Sequence, residues 1–324
     1  MRPWILAWQD ALYGARGFYR TPSGPAGHFA TSCHGPRAAP FAEALLRLAT
    51  AEGLSRIIDL GAGRGELLTS MADLAADSAD ELGSGVELVG VDVVARPSHL
   101  APRVGWFESP GGAELPELGR PEAALVVANE WLDVIPCPIL EADGAGELRE
   151  VEVDDSGQER LGVLAGESAT VGAAEVAWVQ RWWPGPFQPG DRVEVGMPRD
   201  QALTRLQEAV GSGVVLAVDY GHTRASRPAA GSLTGYRQGR QVAPRPDGSC
   251  DLTAHVAVDS LPHDQLMTQR DALRELGIRG EDAAYDLARS DPIAYLRALE
   301  RRGAVAELTG PGLGDFWWVL SRVG

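Results

Sequence analysis

Two acidic side chains and a short glycine-rich turn form the strongest chemical pattern in the sequence. Residues 55–60 have the composition of a strand, Asp59 stands near its end, and a helical stretch begins at Glu66. Between them three glycines occupy alternate positions: Gly61, Gly63 and Gly65. Glycine is needed where a turn requires a positive φ, or where a ligand must approach the backbone without a Cβ in the way. A second strand, 87–92, ends in Asp92, and the two strand ends are expected to face one ligand crevice.

The charge of this crevice favours a cationic ligand. The dinucleotide pattern GxGxxG would need a glycine where the chain has Glu66, and a pyrophosphate there would face that acid with Asp59 nearby. A sulfonium with its own amino group suits acids at this turn, and Asp92 can accept hydrogen bonds from two ribose hydroxyls. The alternative is a structural glycine turn beside a surface aspartate. We therefore expect S-adenosylmethionine (SAM), with these cofactor-binding residues: Asp59, Gly61, Ala62, Gly63, Gly65, Asp92 and Asn129.

A second group of polar residues follows the apolar run 123–129. Asn129 and Glu130 at the end of a buried strand would be costly to desolvate unless they bind something. Glu130 and Asp133 can both face a cationic acceptor, and Trp131 can form a wall of its pocket. In the alternative interpretation, Glu130 caps a following helix and Asp133 is solvated. We name Glu130 and Asp133 as candidate catalytic residues.

A third group follows the buried strand 213–219. Tyr220 and His255 are the candidates for acceptor contact, although a histidine more often has a purely structural hydrogen-bonding role. The polar, glycine-containing segments around them predict a lid loop over 221–263. Two adjacent aromatic pairs are expected to pack in the core or on a hairpin: Trp182-Trp183 and Trp317-Trp318.

The elements that position these residues follow an α/β pattern. Apolar β-branched runs alternate with helical stretches, which predicts a mostly parallel sheet with helices on both faces. The predicted strands are 55–60, 87–92, 103–107, 123–129 and 213–219. The predicted helices are 40–51, 66–76, 199–210, 264–277 and 291–302. Small antiparallel hairpins are expected in 134–190, and a C-terminal antiparallel strand pair in 304–308 and 316–320.

We expect residues 1–324 to form a single domain with recognisable parts. An arm or lid, 1–50, is mostly irregular over 10–37, and 221–250 is irregular as well. The remaining parts are a cofactor-binding half at 51–133, an inserted β-rich segment at 134–190 and a second half at 191–324.

Composition excludes several classes of function. The net charge is −16, and the 29 basic residues are all arginine, which disfavours nucleic acid as a partner. No apolar run reaches the roughly 20 residues of a membrane-spanning helix, and we expect no secretory signal because the apolar stretch near Met1 is too short. Three scattered cysteines give neither a disulfide framework nor a zinc site. We expect a cytoplasmic protein without a metal.

The order of the motifs resembles the MidA family of SAM-dependent methyltransferases. The resemblance covers nearly the whole chain and lies in these segments: 13–19, 27–32, 61–65, 128–130 with Asp133, 219–221, 251–256 and 314–316. The chain departs from it at His28, where many members have Asp, at Cys33-His34, where they have Pro-Glu, and at Ala62, where Pro is usual. The mitochondrial branch serves respiratory complex I assembly and is associated with arginine methylation of a complex I subunit.

The resemblance implies a class I methyltransferase fold and methyl transfer from SAM to an arginine of a protein substrate. Glu130, helped by Asp133, would bind the guanidinium, which a carboxylate can orient through two hydrogen bonds. One alternative is a small-molecule methyltransferase with a closed apolar pocket lined by Trp131 and 134–190. The other is a non-catalytic assembly factor. The sequence leaves the oligomeric state open, and a homodimer is compatible with it.

Overall fold

A computed structural model describes residues 1–20, 31–77, 82–83, 85–282, 284 and 286–324 of the chain. The strands are β1 (Arg2–Pro3), β2 (Arg56–Leu60), β3 (Glu87–Asp92), β4 (Gly105–Glu108), β5 (Ala124–Asn129), β6 (Ile139–Ala142), β7 (Leu148–Val153), β8 (Glu159–Leu164), β9 (Arg192–Glu194), β10 (Gly213–Asp219), β11 (Gly221–His222), β12 (Thr234–Arg237), β13 (Arg240–Val242), β14 (Asp251–Thr253), β15 (Val256–Ala257), β16 (Gln265–Thr268) and β17 (Trp317–Val323). The α-helices are α1 (Trp4–Tyr13), α2 (Ala38–Ala51), α3 (Glu66–Asp77), α4 (Ala173–Trp182), α5 (Met197–Ala209), α6 (Gln269–Glu275), α7 (Leu287–Ser290) and α8 (Pro292–Thr309).

A seven-stranded sheet carries the fold, in the order β16-β17-β10-β5-β2-β3-β4. The five strands from β10 to β4 are parallel, and β17 runs antiparallel to β10. Strands β5 and β10 are apolar up to their last residues, Asn129 and Asp219, because both of their faces are covered. Helices α2, α3, α6 and α8 contribute core residues on one face, and α5 on the other. The predicted α/β fold with helices on both faces is confirmed.

The antiparallel pair near the C-terminus is present, but one of its strands was wrongly predicted. Residues 304–308 belong to α8, where Ala304, Val305 and Leu308 are buried with helical spacing. The partner of β17 is β16, which occupies the first part of the helix predicted at 264–277. That helix, α6, begins at Gln269, because the preceding four residues pair with β17.

The N-terminal arm is more regular than predicted. Helix α1 occupies the start of the chain and buries Trp4 and Trp8 among its core residues. The indole nitrogen of Trp8 donates a hydrogen bond to the carbonyl of Leu252, 3.0 Å away, which fixes the helix against β14. The predicted helix 40–51 is confirmed as α2. His28 and the rest of 21–30 lie outside the described residues.

Segment 134–190 contains the predicted hairpins and an unpredicted helix. Strands β6, β7 and β8 pair antiparallel, and β1 and β9 complete their sheet. Helix α4 ends at Trp182, and Trp183 is buried beside it in a small core. Segment 221–250, expected to be irregular, contains the β12–β13 hairpin, which pairs with β14. In the part of the chain that the structure describes, no helix is long and apolar enough to cross a bilayer.

Candidate active site

A cavity of about 590 Å³ opens at the carboxyl ends of β2, β3 and β5. It brings together most of the residues that the sequence placed at the cofactor. These wall residues are Asp59, Gly61, Ala62, Gly63, Asp92 and Asn129, with Glu130 beside them. We call this space the first cavity. Its position is the crevice at which open α/β sheets bind ligands.

The glycine turn has the backbone that its sequence predicted. Gly61, Gly63 and Gly65 all have a positive φ, at 77°, 59° and 79°. A Cβ at Gly61 would meet no atom within 4 Å, so this part of the turn borders open space. Gly65 has another role, because a Cβ there would lie 2.6 Å from the Leu100 side chain. Gly65 therefore permits close packing behind the turn, while Gly61 leaves room for a ligand.

Asp92 joins the two strand ends. Its carboxylate accepts hydrogen bonds from the backbone N–H of Gly63 at 2.8 Å and of Val94 at 3.2 Å. Burial raises the pKa of Asp92 to about 6, against the lowering effect of these hydrogen bonds. Burial also raises the pKa of Asp59 to about 7, and the charges of Asp92 and Glu66 add to this. The cavity wall thus carries two acids that a cationic ligand would stabilise in the charged form.

Glu130 is held in a strained position on the same cavity. Its φ is 53°, a region that residues other than glycine seldom adopt, and such strain is concentrated at functional sites. Its backbone N–H donates to the Val218 carbonyl at 2.8 Å, and its carboxyl accepts from the Asn129 amide at 3.2 Å. Burial, then the charge of Asp133, raises the pKa of Glu130 to about 8. A turn follows Glu130, so the alternative of a helix cap is wrong.

Asp133 is buried behind this wall rather than solvated. One carboxyl oxygen, Oδ2, accepts hydrogen bonds from the Tyr220 hydroxyl and from Thr253 Oγ1, the latter at 2.5 Å. The other, Oδ1, has no partner among the described residues. Burial raises the pKa of Asp133. Asp133 does not line the first cavity within the described part of the chain, so it acts on that space through its charge.

Asp219, at the end of β10, was not among the predicted site residues. Its Oδ2 accepts hydrogen bonds from the backbone N–H of Leu132 at 2.9 Å and of Asp133 at 3.2 Å. These bonds hold the turn that begins at Glu130. An acid ends this buried strand as Asp92 ends β3, so the sequence contained a signal for Asp219.

Arg199 was also missed. It is fully buried on α5, and its guanidinium donates to the carbonyls of Asp133, Ile135 and His255 at 2.9–3.1 Å. Those bonds fix the 133–135 turn to the segment after β14. In the sequence it is one arginine in an ordinary amphipathic helix, so no local pattern pointed to it.

Glu130, half-buried in the wall of the first cavity, stands in front of three buried acids: Asp133, Asp219 and Asp251. Burial raises the pKa of each one. Asp251 accepts a hydrogen bond from the Tyr19 hydroxyl at 2.8 Å, and its pKa is raised to about 8. Among the described residues none of the four forms an ion pair. The arrangement favours a cation that enters from outside, because an ionised buried acid is stabilised by an opposite charge.

Tyr220 and His255 lie on a different space, a second cavity of about 330 Å³. Their rings make an edge-to-face contact with centroids 5.1 Å apart, and the His255 backbone N–H donates to Ser232 Oγ at 2.8 Å. The Tyr220 hydroxyl reaches Asp133, so this residue links the second cavity to the acidic group. His255 is not in the wall of the first cavity as far as the structure describes it.

The N-terminal arm covers part of the first cavity. Tyr13, Tyr19 and Arg20 line it from one segment, and Thr31, Cys33 and His34 from the next. The ring nitrogen Nε2 of His34 lies 3.8 Å from the Glu66 carboxylate. The departures at Cys33 and His34 therefore alter the cavity wall.

Comparisons with known proteins agree with this architecture. A family model described as a putative S-adenosyl-L-methionine-dependent methyltransferase matches residues 38–261. A Burkholderia thailandensis protein bound to S-adenosyl-homocysteine is 23% identical with a TM-score of 0.72, covering 98% of this chain and 87% of that one. A native crystal structure from the same organism gives the same identity and TM-score, covering 99% and 87%. No protein with a curated description matches the sequence significantly.

Proposed function

Because this chain belongs to the family of S-adenosyl-L-methionine-dependent methyltransferases, we propose that it methylates a guanidinium nitrogen of arginine in a protein. SAM is its cofactor. We further propose that it is a MidA-type enzyme, an assignment supported by the motifs 219–221 and 251–256 around the acidic group. Glu130 carries the proposal, since its half-buried carboxyl lies in a strained turn on the wall of the cofactor cavity.

The residues of the first cavity suit SAM. The open space at Gly61 admits a ligand against the backbone, and Asp59 and Asp92 supply acids for a cationic molecule with hydroxyl donors. Asn129 Oδ1 is buried without a hydrogen-bond partner among the described residues, so it offers an acceptor to a donor group of the ligand. When bound, SAM supplies a methyl group activated by the sulfonium.

Glu130 would bind and orient the acceptor. Without a cation its pKa of about 8 keeps the carboxyl largely protonated near neutral pH. An arriving guanidinium lowers this pKa, and the carboxylate can then accept two parallel hydrogen bonds from it. Methylation of a guanidinium nitrogen releases one proton, because the cation keeps a single positive charge. Glu130 is the base that accepts this proton, and the bonds from the Leu132 and Asp133 backbone to the Asp219 carboxylate hold the turn that begins at Glu130.

Two alternatives have less support. A small-molecule enzyme was expected to have an apolar pocket closed by 134–190, yet in the described part of the chain only Val134 of that segment lines the first cavity. A non-catalytic scaffold would have no use for the strain at Glu130, which costs of the order of 1–3 kcal/mol.

The test is to incubate the protein with SAM carrying a labelled methyl group. One sample receives the proteins of a cell lysate, and another a small-molecule extract. We expect the label in protein, released as methylarginine on acid hydrolysis. Label in the extract alone would support the small-molecule alternative, and no transfer at all despite calorimetric SAM binding would support the scaffold.

A further inference from the structure

The second cavity has a neutral, hydrogen-bonding wall. In the described part of the chain its polar residues are two threonines, a serine, two tyrosines, a glutamine and a histidine, with no Asp, Glu, Lys or Arg: Thr234, Thr253, Ser232, Tyr220, Tyr236, Gln241 and His255. Thr234 Oγ1 accepts a hydrogen bond from the Gln241 amide at 3.0 Å, which joins the two strands of the hairpin. Such a wall suits uncharged polar groups, and the amides of a polypeptide backbone are the most common of these.

The segment that supplies most of this wall is basic, although the chain is strongly acidic. Residues 220–246 contain five arginines and no Asp or Glu. The guanidinium of Arg227 forms an ion pair with the carboxylate of Asp259, at 2.6 Å. Three others are exposed on or beside the β12–β13 hairpin and form no ion pair with the described residues: Arg237, Arg240 and Arg245. We call these three the hairpin arginines.

The cavity is connected to the proposed acceptor site. Tyr220 and Thr253 line it, and their hydroxyls both bond to Asp133 Oδ2. Asp133 in turn raises the pKa of Glu130 on the first cavity. Asp133 therefore lies between the two spaces. A chain resting in the second cavity is next to the residues that would bind the methyl acceptor.

We propose that the second cavity and the hairpin arginines bind the polypeptide that carries the acceptor, and that this polypeptide has acidic residues close to the methylated one. The inference rests on the proposed function and adds the sequence class of its substrate. The neutral wall takes backbone amides, the hairpin arginines pair with flanking carboxylates, and the buried acids take the cationic acceptor. The alternation of charge along the surface fixes the direction and register of the bound segment.

The experiment measures the binding of labelled peptides to the whole protein loaded with S-adenosyl-homocysteine, by fluorescence anisotropy at low salt. All peptides carry one central arginine, with two glutamates, two glutamines or two lysines on each side. Two triple variants are compared. One replaces the hairpin arginines by glutamine, and the control replaces three exposed arginines elsewhere, with the same change of charge: Arg205, Arg289 and Arg297.

We expect the glutamate-flanked peptide to bind about tenfold more tightly than the glutamine-flanked one, and salt to reduce the difference. The hairpin variant should lose this preference, and the control variant should keep most of it. Thr234→Phe, which places a ring in the second cavity, should weaken all peptides while S-adenosyl-homocysteine binds as before.

Equal binding of the three peptides, or equal effects of the two triple variants, overturns the inference. The inference is also overturned if a single-stranded oligonucleotide, at the same concentration of negative charges, displaces the acidic peptide. The arginines would then be a general anion site. Protein methylation in the labelling test would still support the proposed function in that case. Absence of protein methylation counts against the proposed function itself.

Discussion

Replacement of Glu130 by glutamine separates its chemistry from its part in the fold. The amide has nearly the same shape, and the strained backbone at φ 53° is kept. The variant loses a carboxylate on the cavity wall that would face a guanidinium, and such a loss costs about 3 kcal/mol, or roughly a hundredfold in transfer. Affinity for SAM should change much less, because the glycine turn and Asp92 do not depend on Glu130.

The same substitution lowers transfer but should increase the stability of the folded protein. The folded-state pKa of Glu130 is about 8 and its ordinary value is 4.5, so the folded protein binds more protons between these values and loses stability as pH rises. Glutamine has no such loss. In the absence of ligand, the free energy of unfolding of the variant should therefore exceed that of the wild type by a margin that grows by roughly 1.4 kcal/mol per pH unit from pH 4.5 to 8.

Two assays are needed, labelled-methyl transfer to lysate protein and denaturant unfolding at several pH values. A variant that transfers methyl groups as fast as the wild type would remove Glu130 from the mechanism. A stability difference that does not grow with pH would show that the carboxyl is already charged without ligand.

Three further predictions concern strain, pH and the supporting turn. Glu130→Gly should be about 1 kcal/mol more stable than Glu130→Gln, because glycine relieves the positive φ, and it should abolish transfer. Arg120→Gly, at φ 51°, should stabilise the wild type and leave transfer unchanged; a Glu130→Gly variant that transfers methyl groups as fast as Arg120→Gly would contradict this. The Tm of the ligand-free protein should fall from pH 5.5 to 8.5, since Asp59 and Asp251 have folded pKa values of about 7 and 8, and a Tm that rises would refute those shifts. Asp219→Asn should lose most transfer while calorimetry still detects SAM binding, because the amide weakens the hydrogen bonds that hold the turn; wild-type transfer rates in this variant would contradict the role of Asp219.

The parallel sheet and the glycine turn could be predicted because their signals are local. An apolar run such as β5 must be buried on both faces, and a glycine at every second position requires an unusual backbone. Asp59, Asp92 and Glu130 followed from their places at strand ends. These residues need no knowledge of the distant chain to be recognised.

The missed features depend on contacts between distant segments. Residues 265–268 form a strand only because β17 lies beside them, and 304–308 continue a helix because Leu308 is buried against the sheet. Arg199 supports the site because its guanidinium donates hydrogen bonds to three carbonyls far from it in sequence. The separation of Tyr220 and His255 from the first cavity likewise depends on how the β12–β13 hairpin folds.

The central claim is that the first cavity binds SAM against the glycine turn, and calorimetry on a matched pair of glycine variants tests it most directly. Gly61 and Gly53 have φ values of 77° and 68°, and a Cβ at either would meet nothing within 4 Å, so alanine should strain both sites alike. Of these two glycines, only Gly61 lines the first cavity. We predict that the wild type and Gly53→Ala bind SAM equally, and that Gly61→Ala binds it at least tenfold more weakly. Unchanged SAM affinity in Gly61→Ala, or no binding by the wild type, would contradict the account.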